Sequence, residues 1–464
     1  LQHQQFEAFA SQMRGADLPP ILIQTFHHYY KQLVEGHSGL VAETDIEPVA
    51  SLPDAAGMGE RRAAGRAALE RTVVIKLNGG LGTSMGLERA KSLLPARGEL
   101  TFLDIIARQT LQLRRDSGAR LPLLFMNSFS TDDDTIAALA AYPDLRVGDL
   151  PLTFLQHKVP KVLRDGLSPV SVDQYGEMAW CPPGHGDLYV ALQSSGLLDQ
   201  LLETGYEYAF VSNADNLGAV PDEAILGYMA QEELPFLMEV ADRTAADSKG
   251  GHLARRNGRL MLREVAQCPA ADMSNFQDIT RHRYFNTNNI WLHLPSLQYA
   301  LEQHQGVLPL PLIRNQKTVD PRDGASPPVV QLETAMGAAI EVFDGAGAVR
   351  VPRTRFSPVK LCSDLLVLWS DAYVLTPDFH VVVNEKNRYG LPLVQLDPRF
   401  YKLIDQLRER FAAGPPSLTG CERLTVEGDV FFEAGVVVRG TVRVTAGDAP
   451  RRIAAGAVLD NSEA

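Results

Sequence analysis

The residues best suited to chemistry begin with Leu77-Asn78-Gly79-Gly80-Leu81-Gly82-Thr83-Ser84-Met85-Gly86, with Lys91-Ser92 five residues on. The preceding run, Val73-Val74-Ile75-Lys76, is rich in β-branched side chains and predicts a buried strand. The glycines let the backbone approach a ligand and turn N–H groups toward it. Lys91 adds a mobile positive charge. The chemistry this suits is gripping the phosphates of a nucleotide. The same residues also fit a tight strand-to-helix turn. No Gly-Lys-Ser/Thr closes the loop and no Gly-x-Gly-x-x-Gly lies within it. A Walker A loop and a dinucleotide fingerprint are therefore both absent.

Further groups follow other predicted strands. Tyr208-Ala209-Phe210-Val211-Ser212 runs into Asn213-Ala214-Asp215-Asn216. A carboxylate at the carboxyl edge of a sheet sits where open α/β folds bind ligands. There Asp215 can hold Mg²⁺ against phosphate oxygens, or simply cap the next turn. Trp180-Cys181-Pro182-Pro183-Gly184-His185-Gly186-Asp187 offers backbone groups and one imidazole at a helix start. Gly184 and His185 suit base or sugar recognition, and equally a rigid turn. Asn286, Asn288 and Asn289 are amides that suit sugar hydroxyls, or an Asn-rich turn. Gln156-His157-Lys158-Val159-Pro160-Lys161 could read a base edge through Gln156, or form a solvated basic turn. Arg353-Thr354-Arg355-Phe356-Ser357-Pro358-Val359-Lys360 is an anion site or a surface charge cluster. Asp132-Asp133-Asp134 reads as an acidic helix start favoured by the dipole, without a catalytic role.

These groups need elements to hold them. Gln4–Met13, Ile21–Val34 and Gly59–Leu69 predict helices, so the segment 1–70 reads as helical. Strands are expected over Thr72–Leu77, Leu121–Met126, Leu152–Gln156, Tyr208–Ser212, Phe236–Val240 and Ile290–Leu294. Helices fall between them, as at Phe102–Arg114 and Asp187–Leu202. The alternation predicts an α/β domain over 71–375 with a mostly parallel sheet. The segment 376–464 is expected to form a C-terminal domain, and Ala412-Ala413-Gly414-Pro415-Pro416-Ser417 reads as a domain boundary. Beyond it Leu424, Val430, Val436 and Val442 fall six apart, as do Val426, Phe432, Val438 and Val444. Two such columns predict a short left-handed β-helix; ordinary alternating strands also place Val and Phe two apart. The open end of such a coil exposes strand edges and suits self-association of the chain.

Composition sets limits on function. The chain has 464 residues, 44 basic and 56 acidic, for a net charge of −12. Nucleic acid and anionic membranes are poor partners for it. A phosphate ligand is not disfavoured, because screening leaves the decision to local residues. Cys181, Cys268, Cys362 and Cys421 form no Cys-x-x-Cys pair, so a disulfide framework and a zinc site are not expected. A reducing cytoplasm is the simplest compartment. No run is long and apolar enough to span a membrane, and no secretory signal is present.

Taken in order, the motifs resemble the UTP–glucose-1-phosphate uridylyltransferase family, the UDP-glucose pyrophosphorylases of eukaryotic-like type. The segments that carry the resemblance are Leu77 to Thr83, Met126-Asn127-Ser128-Phe129, Pro182 to Asp187, Asn213 to Asn216, Phe285 to Asn289, Gln331-Leu332-Glu333-Thr334-Ala335, and Arg353 to Lys360. The resemblance implies a nucleotide-sugar transferase-like α/β fold: a mixed, mostly parallel sheet with flanking helices and a C-terminal left-handed β-helix. It implies the reversible reaction of UTP and glucose 1-phosphate to UDP-glucose and pyrophosphate, with Mg²⁺ as cofactor. By motif, Leu77, Asn78, Gly79 and Gly80 would contact UTP through backbone groups. Lys91 and Lys360 would be the catalytic cations on the phosphates. Gln156 and Gly184 would recognise uracil, and Asp215 would bind UTP-associated Mg²⁺. His185, Asn213, Ala214, Asn286, Asn288 and Asn289 would surround the sugar. Two positions depart from the family pattern. Ala214 stands where Ser is usual, and Leu87-Glu88-Arg89-Ala90 stands where many relatives carry Gly-Pro.

Three other readings compete. A broader UDP-sugar pyrophosphorylase would also accept galactose 1-phosphate. A non-catalytic nucleotide-sugar-binding subunit could share the fold, although the retained Lys91, Asp215 and Lys360 argue against it. A nicotinamide oxidoreductase needs a fingerprint that the loop lacks.

Overall fold

Ten strands form the sheet that carries the site. Seven of them concern the site: β1 (Thr72–Asn78), β2 (Leu123–Asn127), β3 (Thr153–Leu155), β4 (Tyr208–Asn213), β5 (Phe236–Asp242), β6 (Tyr284–His293) and β7 (Gly347–Arg350). The computed structural model describes residues 2–82, 85–244, 247–248 and 250–460; Thr83 and Ser84 of the glycine loop lie outside them. β4, β1, β2 and β3 lie side by side and parallel. Asn213 is opposite Leu77, and Asn78 is opposite Asn127. The loops that leave these strands therefore emerge together at one carboxyl edge. Beyond β4 the sheet is antiparallel, through β6 and then β5, with β7 parallel to β5. The α/β fold is thus mixed, and its parallel half carries the predicted site loops.

Side chains alternate across this sheet, as strand pleating requires. Val74, Phe125 and Phe210 enter one core, and Val73, Ile75, Leu124 and Val211 the other. Helices cover both faces: α3 (Arg62–Leu69), α4 (Phe102–Ser117), α5 (Asp132–Leu139) and α8 (Glu223–Gln231) in the first core, α6 (Leu188–Ser194) and α7 (Leu197–Glu203) in the second, while α1 (Gln2–Gly15) and α2 (Pro20–Val34) pack in a separate core with Val159 and Val330. α4 starts at a capping box between Thr101 and Asp104. α5 begins at the acidic run, as the sequence predicts.

Two expectations need correction. The helix predicted over 187–202 is two helices, because Gly196 adopts the left-handed region at φ 72° between α6 and α7. The segment 1–70 is not helical throughout. Glu47–Pro48 pairs antiparallel with Arg255 and Ala254 at the sheet edge. Glu43, almost buried, accepts hydrogen bonds from Arg263 (2.6 Å), Arg281 (2.6 Å) and His282 (2.9 Å). An amphipathic pattern cannot reveal such a tether, since its partners lie over 200 residues away.

In the C-terminal region the six-residue columns are all buried. Strands there pair in parallel, with Leu424 opposite Val442 and Val426 opposite Val444. Val430–Phe432 likewise pairs with Arg451–Ile453 in parallel. These side chains continue the core that contains Phe102 and Leu365. Among the described residues no helix is long and apolar enough to cross a membrane.

One helix contact makes a sharp prediction. A Cβ on Gly65 of α3 would sit 1.6 Å from the Glu223 carbonyl oxygen and 2.9 Å from the Gly227 nitrogen in α8. On an exposed helix, Gly→Ala stabilises by about 1 kcal/mol. Here Gly65→Ala is expected to lose about 3 kcal/mol by overpacking, read as a lower denaturant midpoint. An unchanged or higher midpoint would show that α3 and α8 do not pack this closely.

Candidate active site

An open cleft of about 660 Å³ lies at the carboxyl edge of the parallel strands. Ten of the predicted residues line it: Leu77, Asn78, Gly79, Gly80, Lys91, Gln156, His185, Asn213, Ala214 and Asp215. Asn78 turns its side chain inward, donating to Asn127 Oδ1 (2.8 Å) and Thr135 Oγ1 (2.9 Å). That anchors the start of the loop and leaves its backbone to the cleft. The Gly79 and Gly80 N–H groups make no hydrogen bond within the described residues. A Cβ at Gly79 would lie 2.6 Å from Gln156 Oε1, so only glycine lets that amide approach.

Three segments meet at Lys91. Its ammonium donates to Asp215 Oδ2 (2.7 Å) and to the Val359 carbonyl. Both side chains are mostly shielded, at 15% and 21% exposed. Asp215 Oδ1 is buried and has no hydrogen-bond partner among the described residues. An orphaned carboxylate oxygen beside a phosphate-sized cleft fits a hard cation. Mg²⁺ commonly takes one protein carboxylate and completes its shell with phosphates and water. Among the described residues no cluster of three or more metal-ligating side chains offers an alternative. Ser92 also lines the cleft, and its buried hydroxyl has no partner among the described residues.

The opposite lip is formed by Gln156 and the 183–187 turn. Gln156 Nε2 donates to the Gly184 carbonyl at 3.4 Å. Gly184 has φ 82°, and a Cβ there would meet the Thr334 oxygen at 2.4 Å. The turn is clasped by Gly186 N–H to Thr334 O (2.9 Å) and Thr334 N–H to Pro183 O (2.9 Å). His185 Nδ1 accepts from the Met336 N–H at 2.9 Å, which assigns the ring proton to Nε2 as a donor. Burial pushes the His185 pKa down to about 4, so the ring stays neutral at physiological pH.

The amides divide. In β6 the register slips, so Glu239 faces Asn289 and Val240 faces Asn286, leaving Thr287 and Asn288 in a bulge. Asn288 holds φ 57°. Asn286 exchanges two hydrogen bonds with Asn288: its NH₂ donates to Asn288 Oδ1 (2.9 Å) and its Oδ1 accepts the Asn288 backbone N–H (3.0 Å). Asn288 alone is part-exposed and keeps its NH₂ group unpaired among the described residues. Asn289 is fully buried and donates to Glu239 (3.1 Å) and the Arg355 carbonyl (3.2 Å). None of the three amides lines the cleft, and the Asn289 amide serves the core.

The cationic stretch divides in the same way. Arg355 makes two bonds to the fully buried Glu239, at 2.8 and 2.6 Å. Arg353 pairs with Asp247 at 2.6 Å. Neither guanidinium is free for an outside anion. Lys360 is exposed, one residue from the Val359 carbonyl that holds Lys91. Its charge acts on Glu264, a carboxylate that sequence reasoning missed. Burial pushes the Glu264 pKa up, and Lys360 opposes that. Glu264 packs on Gly251, whose carbonyl accepts from Asn286 N–H at 3.1 Å. Locally it reads only as the cap of a short turn, in a capping box with Gln267; its place beside Gly251 and Lys360 depends on distant segments. Lys76, also missed, is buried beneath the cleft on Ser212 Oγ and Ala219 O, both at 2.7 Å. Of the two family departures, Ala214 packs its methyl into the core, while Glu88 and Arg89 are exposed.

A glycine loop, a lysine, a strand-end aspartate and a base-sized lip on one sheet edge define a nucleotide-binding α/β enzyme. The chain belongs to the UTP--glucose-1-phosphate uridylyltransferase family, whose model matches residues 23–439. It is 41% identical over 395 residues to the UTP--glucose-1-phosphate uridylyltransferase of Musa acuminata, covering 85% of this chain and 82% of that protein. It is 42% identical over 405 residues to a probable enzyme of that name from Schizosaccharomyces pombe, covering 85% and 77%. A solved mutant of Leishmania major UDP-glucose pyrophosphorylase, in complex with UDP-glucose, superposes with TM-score 0.93 at 44% identity, covering 99% of each chain. A Trypanosoma brucei structure, described as UDP-glucose phosphorylase, gives TM-score 0.90 at 44% identity, again covering 99% of each.

The Glu239 network should be expensive to break. Removing one partner of a buried pair leaves the other charge unpaired. Glu239→Gln is expected to cost about 3 to 5 kcal/mol in urea unfolding. A loss below about 1 kcal/mol would mean that the Arg355 charge has another partner.

Proposed function

We propose that this protein transfers the uridylyl group of UTP to glucose 1-phosphate, giving UDP-glucose and pyrophosphate. The observation that carries the reading is the convergence of the glycine loop, Lys91, Asp215 and the Gln156–Gly184 lip on one cleft, in a chain of this family.

Both reactants are anions, so the task is to neutralise charge and align the reacting atoms. The Gly79 and Gly80 N–H groups and the Lys91 ammonium bind the triphosphate. Gln156 and the Gly184 N–H hold the edge of uracil. His185 Nε2–H, Asn213 and the free NH₂ of Asn288 hold sugar hydroxyls, and Asn286 orients Asn288. Ala214 shapes the floor between Asn213 and Asp215. The glucose 1-phosphate oxygen attacks the α-phosphorus in line, and the bond to the β-phosphate bridging oxygen breaks. No enzyme nucleophile takes part. Lys360 meets charge on the reacting phosphates. A bound Mg²⁺ would supply further neutralisation of the phosphate charge. Asp215 would hold it through Oδ1.

The finer architecture follows the same reading. The segments 1–70, 71–375 and 376–464 act as an N-terminal unit, a catalytic domain and a C-terminal domain. The last contains a short left-handed β-helix, which the parallel pairing of residues eighteen apart supports. Its open end suits a homo-oligomer. Four unpaired, buried cysteines support a cytoplasmic location.

Pyrophosphate release from UTP and Mg²⁺ tests the reading, with glucose, galactose and N-acetylglucosamine 1-phosphates as acceptors. Glucose 1-phosphate is expected to dominate, and Lys360→Ala to lose about a hundredfold or more in kcat. Comparable galactose rates would make this a broader UDP-sugar pyrophosphorylase. Binding of UTP without turnover on any sugar would point to a binding subunit.

A further inference from the structure

Beside the uracil lip lies a constellation that the reaction does not use. His157 follows Gln156 directly, and Asp187 closes the turn that holds Gly184. The Asp187 carboxylate is 1% exposed. It accepts the His157 backbone N–H at 2.7 Å and faces the ring Nδ1 at 3.0 and 3.1 Å. A carboxylate there calls for the proton on Nδ1, which leaves Nε2 of a neutral ring as an acceptor. Ser194 Oγ, at the end of α6, lies 3.1 Å from that Nε2 and donates to it.

Aspartate, histidine and serine in this order resemble a nucleophile relay. Acyl transfer also requires N–H donors for an oxyanion. The nearby ones are spent: Ser195 N–H on Ala191 O, Gly196 N–H on Gln193 O, and Leu197 N–H on Ser195 Oγ. The arrangement is therefore mechanical.

Resting on the uridylyl reading above, we propose that Asp187, His157 and Ser194 are positioning residues that lock Gln156 against Gly184 and so set selectivity for uracil over cytosine. Gln156 is held from both sides. Its backbone N–H donates to Asn127 O at 2.7 Å, and the next residue is tied to Asp187. Its Nε2 is directed to Gly184 O, and its Oε1 lies against Gly79. Uracil presents N3–H and O4 where cytosine presents a bare N3 and an NH₂ group. A side-chain amide exchanges donor and acceptor by turning over, so a loose glutamine accepts either base. A locked one leaves the wrong base with unpaired polar groups, a large penalty in a shielded site. The lock requires Gln156 and the 183–187 turn to keep their spacing, and the His157–Asp187 contact spans them.

The test measures kcat and KM for UTP and for CTP, with glucose 1-phosphate as acceptor, plus the melting temperature. His157→Leu is expected to lower the UTP:CTP ratio of kcat/KM by about tenfold, mainly through KM for UTP. KM for glucose 1-phosphate should not move. His157→Gln, whose amide can donate to Asp187, should restore most of the ratio. Ser194→Ala should lower it by about twofold in the same direction. A wild-type ratio in folded His157→Leu, even with a lower melting temperature, would overturn the proposal. If His157→Leu does not fold, Ser194→Ala decides: a lowered ratio supports the lock, and a wild-type ratio overturns it. No pyrophosphate release by the wild-type protein would instead overturn the uridylyl reading itself.

Discussion

The site depends on one ion pair. Lys91 and Asp215 lie 124 residues apart in the chain, and the Val359 carbonyl that shares the ammonium lies 268 residues from Lys91. The pair thus joins the glycine loop, the end of β4 and the stretch that presents Lys360. A shielded pair of this kind binds weakly in net terms, because desolvation offsets attraction. Its value is geometric. Each charge holds the other where a phosphate and a cation would need them, and Asp215 Oδ1 has no hydrogen-bond partner among the described residues.

The same logic separates functional cations from structural ones. Arg353 and Arg355 sit among the most basic residues of an acidic chain, yet each is consumed by its own carboxylate. Lys76 is buried so deeply that its pKa falls to about 7, with Arg355 pushing the same way. Lys360 remains exposed, with the Glu264 and Asp364 carboxylates within reach of its charge. Charge counting along the sequence ranks these groups alike; burial and partners rank them differently.

How much was legible follows from that distinction. β1 and its loop were readable because a β-branched run followed by glycines is a local signal, and Asp215 because a carboxylate closes a strand. The parallel register then brings those ends together. The six-residue columns were readable because a repeat needs no partner elsewhere. The Asn286–Asn289 run was only half readable. Three amides look equivalent in sequence, and a bulge with Asn288 at φ 57° separates one available amide from one orienting and one buried amide. Glu264, the Glu239 network and the helix break at Gly196 were invisible, because each depends on contacts or on a backbone conformation that neighbours in sequence do not determine.

The central claim is that Lys91 and Asp215 act as a unit on the phosphates of UTP. The most direct measurement is a double-mutant cycle in kcat for pyrophosphate release, using Lys91→Met, Asp215→Asn and the two combined. The account predicts that each single change costs about a hundredfold or more, and that the double costs little beyond the larger single loss. Losses that multiply would mean two independent groups, and turnover within about threefold of wild type in either single variant would place the chemistry elsewhere.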